Sequence, residues 1–399
     1  MKINIKDISV ALLSCFALLI NVYLVTPFVT YIIYNRLNCV TYIVPFSLSI
    51  LAFNIVPTYE YDLYRIYEAL SQYKINGEFN YARDGLLISL FYLFDALSIN
   101  QSLLPALSCF FIYFSKIFFA KNFFERNLLL NRNVWIVFVL ISIFSVPLLQ
   151  FSGIRFSTAL AFLTLGLYSF SANNSANNRL LGILFYALAV FSHASAILFI
   201  LVYVVNMLVK IDYYKYRILF IFMAIIMSFD MQLIINAMVY ISGYVNDFFG
   251  WSFFSVDTYV DGAWGVERAI SLNKTGQLVL TLTKTALCTI LIVNVFFFCS
   301  KEFSALLVSL TAITICLYDF GTLFDRFGQF CILVLIANMI HFYTYNCRRK
   351  LHILNIFSVL FVFILFRALE FKDAFNILSV SNSDIYKLSL FHLLVELLD

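Results

Sequence analysis

The feature that most constrains the fold is a succession of long apolar runs that fills most of the chain. Hydrophobic residues make up 63% of the 399 positions and charged residues only 12%, against about 25% charged residues in a soluble domain. A water-soluble fold could not bury this much apolar surface, and disorder requires the opposite composition. The sequence therefore predicts an all-α, polytopic transmembrane helical bundle of about 10–12 spans, with residues 1–399 in a single integral membrane domain. The runs lie near residues 8–34, 39–56, 103–120, 134–149, 156–171, 180–192, 194–209, 218–242, 277–299, 303–319, 327–345 and 353–369.

Basic residues assign the two sides of the membrane. They cluster near 121–132, 179, 210–217, 301 and 348–350, and connections poor in Lys and Arg alternate with these clusters. The positive-inside rule puts the clusters in the cytoplasm, so the segments 57–102 and 243–276 are predicted to lie outside. Lys2 and Lys6 fit this assignment poorly, because a single crossing by the first run would leave them outside as well.

The first outer segment, 57–102, combines an amphipathic helix with a short apolar stretch. Leu63, Ile66, Tyr67 and Leu70 follow the i, i+3, i+4, i+7 spacing of one helix face. The stretch 85–98 has only 14 residues, so it is predicted to be an interfacial or re-entrant helix at the outer surface. The second outer segment, 243–276, is rich in Phe, Tyr and Trp, as is typical of a loop at the level of the lipid headgroups.

Ionisable residues stand at three predicted outer helix starts. Arg155, His193 and the pair Asp325-Arg326 each follow a small residue or a Gly-containing turn and precede an inward-running helix. A helix N-terminus presents unpaired N–H groups and partial positive charge, so an added Arg makes it a receptor for phosphate. Three structural alternatives stay open. Arg155 could extend to the headgroups, His193 could be a packed interior histidine, and Asp325-Arg326 could be a structural ion pair.

Several kinds of chemistry have no signature in the sequence. There is no Gly-rich phosphate loop, no HExxH and no GxSxG constellation, and the eight Cys form no CxxC pair. We therefore expect no metal, no cofactor, no nucleotide chemistry and no nucleic-acid partner. An activated donor would have to be one already present at the outer face, and a lipid-linked pyrophosphate is the obvious kind.

Four short elements, in order along the chain, resemble the EpsG/Wzy-type polysaccharide polymerases. Residues 61–67 (YDLYRIY) resemble the family's D-x-x-R/Y-x-Y element, and residues 191–196 (FSHASA) its F-H-x-S-A element. Residues 152–161 (SGIRFSTALA) are similar to its G-I-R-Q-x-x-A-x-A element, with Phe156 where Gln is usual. Residues 324–330 (FDRFGQF) resemble its late R-F/I-x-x-Y/F element.

The resemblance implies a bacterial inner-membrane O-antigen polymerase that acts at the periplasmic face in lipopolysaccharide biosynthesis. Such an enzyme joins undecaprenyl-pyrophosphate-linked oligosaccharide units, inverts the anomeric carbon and uses no metal or cofactor. It also implies membrane lipid as surroundings, and a chain-length regulator and a flippase as partners. A lipid-linked oligosaccharide flippase or an O-antigen ligase is the alternative function.

By the same resemblance, Arg155 and Arg326 would share one cavity and hold the pyrophosphate leaving group. His193 and Asp62 are the candidate bases for the acceptor hydroxyl, and His193 could equally donate a hydrogen bond to phosphate. Further candidate substrate-binding residues are Glu60, Arg65, Arg268 and Asp325.

Overall fold

The computed structural model describes residues 5–57, 62–77, 85–126, 132–147, 153–171, 175–209, 211–249, 274–345, 349–377 and 389–398. In chain order the helices are α1 (Ile5–Ile20), α2 (Thr26–Tyr34), α3 (Val40–Phe53), α4 (Asp62–Asn76), α5 (Gly85–Ala96), α6 (Leu103–Arg126), α7 (Arg132–Phe144), α8 (Ile154–Ser171), α9 (Ala176–Ser192), α10 (Ala196–Leu208), α11 (Tyr213–Ser228), α12 (Met231–Phe249), α13 (Lys274–Phe297), α14 (Ser304–Cys316), α15 (Gly321–Tyr345), α16 (Arg349–Ile377) and α17 (Leu390–Leu398). A 3-10 turn, Val22–Val25, joins α1 to α2.

The predicted all-α polytopic membrane fold is confirmed, since the described residues contain helices and no β-strand. Among the described residues, five helices are long and apolar enough to cross a bilayer, or six if α11 and the segment Gln232–Tyr244 of α12 count as one bent span. They are Leu103–Glu125, Ile154–Ser171, Gly276–Phe297, Gly321–Tyr345 and Leu351–Glu370. Seven further apolar helices have 10–17 residues. They coincide with predicted apolar segments but fall short of the roughly 20 residues of a full crossing.

The helices form two compact units. Unit 1 contains residues 1–196 and 363–399, and unit 2 contains residues 197–362.

Within unit 1, α8 and α9 form a tightly packed antiparallel hairpin. Gly166 of α8 faces the ring of Tyr186, and a Cβ built on it would lie 2.3 Å from Tyr186 Cε1. The reverse contact joins Gly182 of α9 to Phe170, where a Cβ would lie 2.7 Å from Cε2. Small residues at such positions let two helices approach closely in a membrane. The hairpin brings the first turn of α8 and the last turn of α9 to the same end of the unit.

The N-terminal apolar run is a second hairpin. Asp7, at the start of α1, accepts hydrogen bonds from Asn38 through Oδ1 (from the backbone N, 2.8 Å) and Oδ2 (from Nδ2, 3.2 Å). The ammonium group of Lys121, near the end of α6, donates a hydrogen bond to Asn38 Oδ1. Trp135 of α7 donates from Nε1 to the Ile33 carbonyl at 3.2 Å. Both ends of the run therefore meet the basic segment around 121–132, and we call this region of unit 1 the basic end.

The prediction that residues 8–34 cross the membrane once is wrong. The prediction that Lys6 lies on the opposite side of the membrane from the basic residues at 121–132 is therefore wrong as well. The run is interrupted at Asn21, whose side chain accepts the Tyr23 N–H and caps the 3-10 turn. Pro27 then opens α2, where its missing N–H costs nothing. Unbroken apolarity does not distinguish one long span from a hairpin, because both bury their backbone polar groups within helices.

The other end of unit 1, which we call the distal end, gathers the starts of α6 and α8 and the last turn of α9. Ser108 of α6 donates to the carbonyl of Ile154 at 3.2 Å, and Thr158 donates to the same oxygen at 2.8 Å. The first residue of α5, Gly85, lies against Phe191 of α9, with a built Cβ 2.0 Å from Cε2. Helix α5 therefore begins at the distal end, and with 12 residues it is too short for a full crossing. The outer location of segment 57–102 stays a prediction.

In unit 2, buried amides satisfy backbone groups at helix ends. Asn338 of α15 accepts the Ser300 N–H through Oδ1 and donates to the Phe298 carbonyl through Nδ2, both at 2.8 Å. Asn294 of α13 and Asn355 of α16 exchange side-chain hydrogen bonds of 2.9 and 3.4 Å. These contacts fix the end of α13 against α15 and α16.

The N-terminal hairpin predicts a labelling pattern. In a Cys-free background, Lys6→Cys and Asn133→Cys should behave alike toward an impermeant maleimide, because both positions belong to the basic end. Gln101→Cys, beside the start of α6 at the distal end, should show the opposite pattern. By the positive-inside rule, the first two should react in right-side-out vesicles only after permeabilisation. Labelling of Lys6→Cys together with Gln101→Cys would show that the first run crosses the bilayer.

Candidate functional site: an Asp–Arg–His cluster

The distal end of unit 1 holds an ion pair between two helix starts. Asp62 is the first residue of α4 and Arg155 the second residue of α8. Arg155 donates from Nη2 to Oδ1 at 2.7 Å and to Oδ2 at 3.0 Å, and from Nε to Oδ2 at 3.2 Å. The side chains are 22% and 21% exposed, so the pair is largely shielded from solvent. A guanidinium that binds both carboxylate oxygens is held in a defined plane.

The first partner, Asp62, is positioned by the packing of α4. The predicted apolar face is confirmed, because Leu63, Ile66 and Leu70 are fully buried. The fourth member, Tyr67, is half-buried, and burial raises the pKa of its phenol. The carboxylate of Asp62 stands at the helix N-terminus, where its negative charge is favoured by the helix dipole.

The second partner, Arg155, is positioned by the anchored start of α8. The Ile154 carbonyl next to it accepts from Ser108 and Thr158, and Ile154 itself is buried. The backbone that carries Arg155 is therefore tied to α6 through hydroxyl hydrogen bonds.

The third member, His193, terminates α9 at the same end. Its backbone N–H donates to the Ala189 carbonyl, and its φ of −159° and ψ of 124° lead the chain out of the helix. The ring meets Phe156 edge-on, with 5.8 Å between ring centroids and 81° between planes. Because Phe156 follows Arg155 directly, this contact places His193 at the first turn of α8, the same helix start that carries Arg155.

Phe156 is a site residue that sequence reasoning missed. It stands where the resembling family has Gln, so no side-chain amide is present at that position. The side chain is 9% exposed and supports the His193 ring. An aromatic residue immediately before a run of small residues carries no signal that it contacts a histidine almost forty positions away.

The structure pairs two of the predicted site residues, Asp62 and Arg155, and places a third, His193, at the same end of unit 1. Arg65 lies one turn further along α4 and is exposed. Asp325 and Arg326 lie in the first turns of α15 in unit 2, with Asp325 exposed and Arg326 half-buried. Glu60 and Arg268, like most of the aromatic segment 243–276, fall outside the described residues.

Lys284, within α13, is tied to the start of α15. Its ammonium donates to the Tyr318 carbonyl at 2.8 Å and lies 5.5 and 5.3 Å from the ring centroids of Tyr318 and Phe324. The side chain is buried, and the residue is 8% exposed. Aromatic faces and a carbonyl stabilise a cation that would otherwise be costly at this depth. Lys284 therefore fastens α13 to the turn that precedes Asp325 and Arg326.

The cluster offers charge and hydrogen bonds. In the part of the chain that the structure describes, no group of three or more His, Cys, Asp or Glu side chains could hold a metal ion. A guanidinium, a carboxylate and an imidazole together suit the binding of an anion and proton transfer beside it.

The fold and the cluster define the class: an all-α, multi-pass membrane protein with an Asp–Arg–His cluster at one end of its first unit. Comparisons with protein-family models, with curated proteins and with solved structures found no match.

The ion pair predicts a non-additive effect on stability. Asp62→Asn and Arg155→Gln should each lower the thermal unfolding midpoint in detergent, since each leaves a largely shielded charge without its partner. The double variant should be less destabilised than the sum, with a coupling of about 0.5–3 kcal/mol. The wild type and the three variants form a double-mutant cycle, and circular dichroism measures the unfolding midpoint of each. Additive shifts would contradict the pairing.

Lys284 predicts a stability difference between two lysines of the same helix. Lys284→Ala should destabilise the protein by about 1–3 kcal/mol, because the Tyr318 carbonyl loses its donor in a buried place. Lys274→Ala is the control, since Lys274 is exposed at the first position of α13. Equal unfolding midpoints for the two variants would remove the fastening role of Lys284.

Proposed function

We propose that the protein is a polysaccharide polymerase of the O-antigen kind, a bacterial inner-membrane glycosyltransferase that joins lipid-pyrophosphate-linked oligosaccharide units at the periplasmic face. One observation carries the proposal. Asp62, Arg155 and His193 come from three separate elements that resemble the polymerase family, and they meet at one end of unit 1. Residues that merely extend to headgroups or pack within the bundle have no reason to converge in this way.

The reaction needs stabilisation of a leaving group. The acceptor hydroxyl attacks the anomeric carbon of the donor, the bond from that carbon to the pyrophosphate oxygen breaks, and its electron pair stays on the pyrophosphate. Negative charge on the leaving group therefore rises in the transition state. A cation fixed beside that oxygen lowers the barrier selectively, because it interacts more strongly with the transition state than with the bound substrate.

Arg155 suits this role, and Asp62 explains how its charge is tolerated without substrate. An unpaired guanidinium in this shielded place would be costly, and the Asp62 carboxylate compensates it. Arriving pyrophosphate would compete with Asp62 for Nε and Nη2. Substrate binding would then leave the carboxylate beside the reacting centre, where it could accept the proton of the acceptor hydroxyl.

The remaining assignments follow the resemblance. His193 is either a second candidate base or a donor to phosphate. Arg326 and Asp325 in unit 2 are a second candidate phosphate site, and Arg65, Glu60 and Arg268 are candidate substrate contacts. A single displacement inverts the anomeric configuration and requires no sugar bound covalently to the protein.

The proposal predicts a strong effect of a charge-conserving change. Arg155→Lys should reduce long-chain product about 10- to 100-fold, because a planar fork is replaced by a point charge and at least one charge-assisted hydrogen bond is lost. Arg179→Lys is the matched control, since Arg179 is exposed near the start of α9, away from the cluster. Both variants need wild-type abundance in the membrane. Normal product from Arg155→Lys would favour simple contact with headgroups instead.

A gel of lipopolysaccharide from a strain lacking the protein tests the function itself and separates the alternatives. Loss of a polymerase leaves a single repeat unit on the lipid core. Loss of a flippase or of a ligase leaves no repeat unit on the core, and that result would overturn the proposal.

A further inference from the structure

The imidazole of His193 is held at Nδ1 by the residue two positions further on. The Ser195 backbone N–H donates to Nδ1 at 3.0 Å, and the Ser195 hydroxyl lies 2.9 Å from the same nitrogen. The chain makes this contact because it turns between α9 and α10, and the Ala196 N–H donates to the His193 carbonyl at 3.0 Å. The side chain thus closes a turn over its own backbone, in the way that Asn and Asp side chains do in Asx-turns.

This contact selects one tautomer. A backbone N–H can only donate, so Nδ1 must present its lone pair and carry no proton. The neutral imidazole then carries its proton on Nε2. The Ser195 hydroxyl can rotate to donate as well, whereas the opposite tautomer would set two N–H groups against each other.

The edge-on contact with Phe156 adds a second constraint on the ring. Nδ1 is fixed by Ser195 and the ring plane by Phe156, so the imidazole has a defined orientation at the first turn of α8. A neutral histidine in this state has no lone pair at Nε2 with which to take a proton.

We infer that His193 is a hydrogen-bond donor through Nε2–H to an oxygen of the lipid-linked pyrophosphate and not the base, and that Ser195 is the positioning residue that fixes this state. The inference rests on the proposed function for the identity of the ligand. It leaves Asp62 as the candidate base of the cluster. No proton leaves His193 during the reaction, and its donated hydrogen bond strengthens as charge develops on the leaving oxygen.

The tautomer can be measured without any activity. The protein has four His residues, so the His193 signals of a ¹³C,¹⁵N-histidine sample in detergent are found by comparison with His193→Gln. Around neutral pH, the Cδ2 shift and the nitrogen shifts should report a proton on Nε2. Ser195→Ala should leave that tautomer in place, because it retains the backbone N–H. A proton on Nδ1 in the wild type would overturn the inference, whatever the protein's function.

Two substitutions at His193 separate donor from base. Gln places an amide donor near the position of Nε2, whereas Asn places its polar atoms near Nδ1 and reaches no further. As a donor, His193→Gln should retain product within about tenfold of wild type, and His193→Asn should lose about 10- to 100-fold, the effect of one hydrogen bond to a charged group. As a base, both variants should lose about 10²- to 10⁴-fold. Equal large losses at wild-type abundance would overturn the donor role.

The pH dependence of chain growth is a third readout, because a catalytic base shapes the rate profile and a hydrogen-bond donor that keeps its proton does not. The rate profile of His193→Gln should keep the shape of the wild-type profile, since the essential base lies elsewhere. Loss of the acidic limb in His193→Gln would identify His193 as the base. If the wild type forms no polymer while its NMR signals show the Nε2 proton, the proposed function fails and the tautomer assignment stands.

Discussion

Hydrocarbon offers no hydrogen bonds, and this constraint governs the placement of the two polar clusters of unit 1. Backbone groups are satisfied within helices, and side-chain polarity is moved to places where it finds a partner. At the basic end of unit 1, Asp7, Asn38 and Lys121 satisfy one another. At the distal end, Asp62 and Arg155 do so. The two clusters lie at opposite ends of α6. Between them, the residues of α6, α8 and α9 are mostly apolar and aromatic.

The α8–α9 hairpin positions two residues of the site, Arg155 and His193, at one end of unit 1. The reciprocal contacts of Gly166 with Tyr186 and of Gly182 with Phe170 fix the second half of α8 against the middle of α9. The start of α8 and the end of α9 consequently lie together, and with them Arg155 and His193. Helix α4 adds Asp62 by burying Leu63 and Ile66. Each member of the cluster is carried by a different packed helix end.

Sequence patterns predicted what depends on local periodicity and charge. The all-α membrane fold followed from the apolar runs, and the buried face of α4 from the spacing of four residues. Arg155 and His193 were singled out because an ionisable residue at the start of an apolar helix is costly. The ion-pair partner of Asp62 could not be predicted in this way, because the structure pairs it with a residue 93 positions later. Long-range partners depend on helix packing, which a single sequence does not encode at any one position.

Two other features lay beyond sequence reasoning for the same reason. The first apolar run is a hairpin, and long-range contacts such as that of Asp7 with Asn38 distinguish it from one crossing. Lys284 is a charge within an apolar run, but its carbonyl and aromatic partners are 34 or more residues away. In each case the sequence shows a charged residue that is costly to place in or beside an apolar run, and the partner that stabilises it comes from a distant segment.

The most direct test of the account is the stoichiometry of the reaction in proteoliposomes. Purified protein would be supplied with a synthetic undecaprenyl-pyrophosphate-linked repeat unit, and released undecaprenyl pyrophosphate would be measured against glycosidic bonds formed. The account predicts one pyrophosphate lipid released for each new bond, an inverted anomeric centre, and loss of both products in Arg155→Gln at equal reconstitution. Movement of the intact substrate across the bilayer without bond formation would contradict it.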